Sequence, residues 1–233
     1  MVYVQEVLDT LKACVIIPAY NEESTIAKVV KSIRVQGLEA VVIDDGSGDR
    51  TSSVSLDEGA VVLRNPVNSG KGNSLRKGFD YALGRDFDAI ITMDGDGQHK
   101  PDDVAYFMRL AEYSKSSILI GNRMSHTKNM PWLRILTNRF MSWLISKISG
   151  QKIFDSQCGF RLIKKEVLEK VRLNTYKYET ESEILIKASR LGFKIESVPI
   201  ETIYKGNKSS INPFVDTLRF IRFLFDEIWT TRH

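Results

Sequence analysis

Ile91–Asp103 reads ITMDGDGQHKPDD. An apolar run ends abruptly on two aspartates around a glycine, Gln98 and His99 follow, and Pro101 opens a helical pattern. A strand over Ala89–Met93 and a helix over Pro101–Tyr113 make the intervening loop the working part. Asp94 and Asp96 bracketing Gly95 can ligate a hard divalent ion, the glycine allowing a tight turn. Such an ion keeps waters and bridges phosphates, and Gln98 adds an oxygen two residues on. The plain alternative is an Asp/Gly turn of the kind any solvated loop can use.

Outward from this loop, strand-length apolar runs alternate with helical patterns. Ala13–Ile17 reads as a buried strand whose ladder Pro18 cannot continue. Ser24–Gln36 puts Ile26, Val29, Val30 and Ile33 on one helical face, and Gly37 ends it. Ala40–Ile43 is a strand, Thr51 opens a short helix, and Ala60–Leu63 is a strand. Gly72–Leu83 is a helix and Ser117–Ile120 a strand. This rhythm predicts an α/β fold: a mostly parallel sheet flanked by helices on both faces. Ligands of such sheets bind outside the carboxyl ends of the strands. The polar clusters fall there: Pro18–Glu22, Asp44–Asp49, Asp94–Gln98 and Gly121–Arg123. Later come a Trp- and Leu-rich helical stretch over Met130–Ser149, DSQCGFR at Asp155–Arg161 and a helix near Thr180–Leu191. The strand-like KIESVPIETIY and an amphipathic segment from Pro213 to about Trp229 close the chain.

Whole-chain properties bound the reading. The 233 residues suffice for one large domain with a sizeable core, and 42% hydrophobic with 27% charged residues is ordinary for a soluble globular protein. A net charge of +4 does not by itself imply nucleic acid, and it suits an anionic ligand or lipid surface. Cys14 and Cys158 lie far apart and form no metal spacing, which points to a reducing compartment. No signal peptide is visible, since Glu6 and Asp9 interrupt the first ten residues. No segment reaches the ~18 consecutive apolar residues of a membrane span.

Other motifs are weaker taken singly. In PAYNE, Pro18–Glu22, Tyr20 offers a flat face for a base, while Asn21 and Glu22 can bind a sugar or base edge; acidic residues near a helix start need no such explanation. IDDGSGDRT, Ile43–Thr51, can bind base or ribose, or be a turn with Thr51 as cap. GKGNS, Gly70–Ser74, fails as a phosphate loop because Asn65 stands where its first glycine belongs. What remains is a glycine-flexed helix start that sets Lys71 near a pyrophosphate.

Together PAYNE, DDGSGD, N-S-GKG, DGDGQH, GNR and DSQCGFR resemble, in order and spacing, the family-two glycosyltransferases of the Rossmann-like GT-A fold, from Ala13 to about Tyr204. Within the family the chain looks most like the dolichyl- and polyprenyl-phosphate mannose or glucose synthases. Processive polysaccharide synthases carry Q-x-x-R-W, whereas Gln157 is followed here by CGFRL. The resemblance implies a single domain over 1–233: a nucleotide-sugar half (about 13–123), an acceptor half (about 124–205) and a C-terminal amphipathic helix (about 212–230). It implies an inverting, metal-dependent hexosyl transfer from a GDP- or UDP-linked sugar to a polyprenyl or dolichyl phosphate. Mg2+ or Mn2+ would sit on Asp96 with Asp94 and Gln98, neutralising the leaving diphosphate. Pro18, Ala19, Tyr20, Glu22, Asp44, Asp45, Lys71, Asp94 and Gly95 would hold the donor. Arg123, Arg134 and Lys205 would take the acceptor phosphate, with Arg139 competing with Arg134 and Lys208 close to Lys205.

An ionised phosphate needs no general base. A hydroxyl acceptor of a glycan or glycolipid would need one, from Asp155, Glu179 or Glu181. Asp96, Arg123 and Asp155 are thus the candidate catalytic residues, although Asp155 can simply order the turn before GFR. His99 is read as orienting the loop, Cys158 as a small buried residue, and Trp132, Trp143 and Trp229 as core or interfacial anchors. The C-terminal segment would either pack on the sheet or lie in the headgroup boundary of anionic lipid. The place of action is then the cytoplasm, at the cytoplasmic face of a membrane, with no nucleic-acid partner. A sugar-nucleotide pyrophosphorylase would show a glycine-rich loop near the N-terminus, where PAYNE stands, and a non-catalytic nucleotide-sugar binding protein would not need the metal motif.

Overall fold

The computed structural model describes residues 11–128 and 130–201. Lys205, Lys208, Trp229 and the expected C-terminal helix lie outside the described residues. The strands are β1 (Ala13–Ala19), β2 (Glu39–Asp44), β3 (Val61–Arg64), β4 (Ala89–Thr92), β5 (Ile118–Asn122), β6 (Arg161–Lys164) and β7 (Ile195–Pro199). The helices are α1 (Ile26–Arg34), α2 (Thr51–Asp57), α3 (Lys71–Leu83), α4 (Pro101–Tyr113), α5 (Trp132–Ser149), α6 (Lys165–Lys170) and α7 (Glu179–Arg190).

The strands form one seven-stranded sheet in the order β3-β2-β1-β4-β6-β5-β7. β6 runs antiparallel to both β4 and β5, and the other pairings are parallel. From β1 the chain moves outward through β2 to β3, then returns past β1 to β4. Right-handed crossovers therefore put α1 and α2 on one face and α3 on the other. The direction of winding reverses between β1 and β4, a switch point of the kind at which α/β sheets form their ligand crevice, outside the carboxyl ends of the strands. PAYNE leaves β1 and DGDGQH leaves β4 at this point.

The buried face of α1 carries the expected Ile26, Val29, Val30 and Ile33. Ile16, Ile17, Val41, Val42, Ile90 and Ile91 are buried along the central strands, as strands covered on both faces require. Pro18 is a correction. It lies within β1, with Ile43 as its partner on β2. Ile16 accepts from the Met93 amide on the β4 side, and Ala19 accepts from the Asp45 amide on the β2 side. Pro18 shares the parity of Ile16, so its missing donor faces the side where β4 pairing has already ended at Thr92. β6 was not expected as a strand, because four residues between two turns carry no periodic signal.

Candidate active site

The loop after β1 is tied to the loop after β2. The Asn21 amide donates to Ser47 Oγ (2.9 Å), the Glu22 amide to Thr51 Oγ1 (2.8 Å) and the Glu23 amide to Asp49 Oδ2 (3.1 Å). In return the Gly48 amide donates to Asn21 Oδ1 (2.9 Å). Asn21 holds φ 56°, a left-handed conformation that asparagine tolerates. Thr51 begins α2 without capping it, and spends its hydroxyl on fixing PAYNE instead. Tyr20 is left half exposed at the mouth of the crevice, and Ala19 is buried beneath it.

Both aspartates of DDGSGD are buried. Asp44 accepts from the Ser47 amide (2.8 Å) and the Ser52 hydroxyl, with Arg64 Nε at 3.7 Å. Asp45 Oδ1 accepts from Asn65 Nδ2 (2.8 Å) and from the amide and hydroxyl of Ser69 (3.0 and 2.8 Å), while Oδ2 accepts from the Gly70 amide (2.8 Å). Burial works against the Asp45 charge, but these donors outweigh it and hold its pKa below the ordinary carboxylate range. The visible work of both is to shape the loop that a nucleoside would meet. For Asp45 that includes fixing the start of α3.

That start aims Lys71. Gly70 takes φ 97°, which favours glycine. A Cβ on Gly72 would lie 2.2 Å from Thr180 Oγ1 and 2.3 Å from Lys177 O, so only glycine lets α3 approach the turn before α7 this closely. The Asn73 amide donates to Tyr176 O across the same junction (2.8 Å). From this anchor the Lys71 Nζ reaches Asp94 Oδ1 at 2.6 Å and Glu181 Oε1 at 3.2 Å. Burial opposes the ammonium, yet the two carboxylates outweigh it and raise its pKa above lysine's ordinary value.

The loop after β4 corrects one expectation. The residue with positive φ is Gly97, at 69°, and Gly95 is not among the left-handed glycines. The tight turn therefore belongs to Gly97. Gly95 is packed against Ile26, Ala19 and Pro18 instead, and its carbonyl accepts from Thr25 Oγ1 (2.8 Å) at the entrance to α1. Asp96 Oδ1 accepts from the Gln98 amide (3.0 Å). His99 is buried, its ring 5.1 Å from Phe160 and its Nε2 3.9 Å from Asp94 Oδ2, which fits the loop-orienting role. Burial works against the Asp94 charge, but Lys71 and His99 hold its pKa well below the usual range. Burial raises the pKa of Asp96, and so does the charge of Asp94. Burial likewise raises Glu22 on the facing loop.

Among the described residues, no group of three His, Cys, Asp or Glu side chains converges to hold a metal ion. A carboxylate held ionised beside one whose charge is disfavoured nevertheless suits a divalent cation that takes its remaining oxygens from water and diphosphate.

The DSQCGFR turn closes the crevice from the β6 side. Asp155 is fully buried and grips Arg123 bidentately, Nε to Oδ2 at 2.7 Å and Nη2 to Oδ1 at 2.9 Å, while the Arg123 amide also donates to Oδ2 (3.1 Å). Asp155 thus orders the turn at the end of β5, and the two candidate catalytic residues spend their facing groups on each other. Buried Arg161 braces the same turn through Cys158 O (2.8 Å), Ser156 O (2.9 Å) and the Glu181 carbonyl. Thr92 Oγ1 donates to Gly159 O (2.7 Å). A Cβ on Gly159 would lie 2.8 Å from Lys71 Nζ and 2.9 Å from Asp94 Oδ2. Sequence reasoning missed the closeness of Gly159 and the pairing of Lys71 with Glu181, since no local pattern joins segments so far apart. Cys158 is fully buried, as expected, and burial pushes its thiol up to about 12.

Beyond this turn, Ser142 on α5 accepts from the Ser156 amide (2.9 Å). Arg134 is half-buried on α5 and Arg139 exposed. Trp132, Leu133, Leu136, Phe140 and Trp143 on the same helix are all more than half exposed, with Phe140 and Trp143 stacked at 6.1 Å between ring centroids. These tryptophans are not core residues. Among the described residues no helix is long and apolar enough to cross a membrane.

A mixed seven-stranded sheet with paired carboxylates at its winding reversal defines an α/β protein with a candidate ligand site at the switch point. The chain matches the family glycosyl transferase family 2 over residues 14–172, and it belongs to that family. It is a glycosyltransferase of the GT-A fold. It is 32% identical over 212 residues to the UDP-N-acetylglucosamine–dolichyl-phosphate N-acetylglucosaminyltransferase of Methanococcus voltae, covering 81% of this chain and 84% of that protein. It is 28% identical to the polyprenol monophosphomannose synthase of Mycolicibacterium smegmatis, covering 82% and 77% respectively. The fold is shared with glucosyl-3-phosphoglycerate synthase from Mycobacterium tuberculosis, solved with Mn2+, UDP-glucose and phosphoglyceric acid. That likeness has a TM-score of 0.76 at 20% identity and covers 96% of this chain and 82% of the other.

Proposed function

We propose that the protein transfers a hexose, with inversion, from a UDP- or GDP-linked sugar to a polyprenyl or dolichyl phosphate. The observation that carries this reading is the Asp94–Asp96 pair at the end of β4 with Lys71 beside it. Asp96, Asp94 and Gln98 would hold Mg2+ or Mn2+, which when bound supplies charge to the departing diphosphate. Pro18, Ala19, Tyr20, Glu22 and Gly95 line the donor side, with Asp44 and Asp45 shaping it from beneath.

The phosphate acceptor is favoured over a hydroxyl because two of the three candidate bases, Asp155 and Glu181, are occupied. Asp155 is held by Arg123 and Glu181 by Lys71, so neither is placed to take a proton. A phosphate arrives already ionised and needs none. Arg134 and, beyond the described residues, Lys205 are the cations assigned to it; Arg123, buried and gripped by Asp155, is assigned to holding the turn at the end of β5. The archaeal dolichyl-phosphate N-acetylglucosaminyltransferase and the mycobacterial polyprenol monophosphomannose synthase to which the chain is similar point the same way.

The exposed aromatic face of α5 supports a lipid-linked acceptor and docking at the cytoplasmic face of a membrane. A donor screen read by product mass spectrometry, with polyprenyl phosphate and polyprenol in parallel, tests the reaction. Product on the phosphate alone is expected; product on the alcohol alone overturns the acceptor assignment. Co-flotation with anionic liposomes is expected for the full chain, and its absence at low salt would favour a water-soluble acceptor.

A further inference from the structure

Lys71 bridges a proposed metal ligand and a second carboxylate that the reaction as proposed does not use. Asp94 Oδ1 lies 2.6 Å from its ammonium. Glu181 Oε1, 3.2 Å away, is buried and receives no hydrogen bond of its own. Both ends of the arrangement are rigid. α3 is fixed by Asp45 and by its close approach to Thr180, and Arg161 is bonded to the Glu181 carbonyl at the first turn of α7. Gly159 leaves room for the ammonium and for nothing larger beside it.

We propose that Lys71 is an internal counter-cation that holds Asp94 while no metal is bound and hands it over when the ion arrives, with Glu181 as its retreat. This rests on the reading of Asp94 as a metal ligand and adds a step to it. The lysine occupies the electrostatic place of the ion, so a bare divalent cation must displace it and binds weakly. An ion arriving with a nucleoside diphosphate brings oxygens for both cations, because Lys71 can follow the diphosphate as it leaves Asp94. Metal and donor are then coupled, each binding better in the presence of the other.

The test is Mn2+ titration of the full chain, followed by loss of the free-ion paramagnetic resonance signal, alone and with UDP or GDP. Lys71→Met is expected to tighten Mn2+ alone by about tenfold or more, since it removes a competing charge from a poorly screened site. With nucleotide present the gain should vanish or reverse. Glu181→Gln should weaken Mn2+ alone, because the lysine loses its retreat, and this weakening should disappear in the Lys71→Met background. Lys71→Gln, which keeps a neutral donor for Asp94, should fall between wild type and Lys71→Met, and it provides the reading if the methionine variant does not melt cooperatively.

Unchanged or weaker Mn2+ binding in both lysine variants overturns the proposal, as does an equal effect of Glu181→Gln with and without the lysine. Asp96→Asn separates the two levels. If it retains wild-type Mn2+ binding in the presence of nucleotide, the metal reading itself fails; if it loses binding while the lysine variants change nothing, only the exchange fails.

Discussion

The proposed donor side and the proposed acceptor side of the crevice are built by opposite means. Around PAYNE, DDGSGD and the start of α3, nearly every polar side chain is spent on a neighbouring loop: Asn21 on Gly48, Thr51 on Glu22, and Asp45 on Ser69 and Gly70. On α5, large apolar side chains from Trp132 to Trp143 stand in solvent. A nucleotide is rigid, charged and rich in hydrogen-bond partners, so a preorganised polar frame binds it at low ordering cost. A prenyl chain offers area and little geometry, so a loosely specified apolar face suffices. In this family-two glycosyltransferase, the tightly bonded loops fit the proposed nucleotide-sugar donor, and the exposed helix face fits the proposed lipid-phosphate acceptor.

Asp96→Asn should break the donor side most severely. With saturating metal and donor, turnover should fall by about a thousandfold, the scale of losing a ligand of the ion that stabilises a leaving diphosphate. Turnover near wild type would remove Asp96 from the metal site.

Asp155→Ala addresses the junction of the two sides. It leaves the Arg123 guanidinium buried without its carboxylate, and urea denaturation should show a loss of about 3–5 kcal/mol. The double change Arg123→Met with Asp155→Leu should recover much of that stability without activity. If the double variant stays as unstable as the single one, the pair is not the source.

Gly159→Ala sharpens the comparison, since it leaves the fold and crowds only the site. The added methyl would press on Lys71 and Asp94, and metal-dependent nucleotide binding should weaken by about tenfold, with little change in melting without ligand. A large melting shift would mean that the glycine serves the fold first.

Acidity gives a smaller, signed effect. The folded pKa of Asp96 lies above its unfolded value, so the native state holds more protons and loses stability as pH rises through that interval. Asp96→Asn removes this penalty. Without metal it should melt about 2–4 °C above wild type at neutral pH, and the gain should shrink as pH falls towards the ordinary carboxylate value. The same protonation should weaken metal binding on acidification. A constant gain across pH would assign the stabilisation to something other than the charge.

The smallest effect is expected on α5. Phe140→Ser with Trp143→Ser should change stability by no more than about 0.5 kcal/mol, because the rings are exposed, while reducing liposome flotation. A stability loss of core size would mean that the face packs against the protein.

The sequence alone determined the α/β class, because strand and helix periodicities are local and the polar clusters fall at strand ends whatever the strand order. It also singled out Asp94 and Asp96 as the candidate centre, since two carboxylates around a glycine need no distant partner to be noticed, and the motif order carried the family. Tertiary structure decided the rest. β6 pairs antiparallel between β4 and β5 because the turn before it is braced by Arg161 and Thr92, contacts that no window of sequence contains. Pro18 stays inside β1 because its neighbour β4 has already ended, which depends on register. Asp155, Arg123, Lys71 and Glu181 were each legible as charged residues near a site. Who neutralises whom was not, because ion pairing is set by distances across the sheet, and segments far apart in the chain fix those distances only once the core has packed.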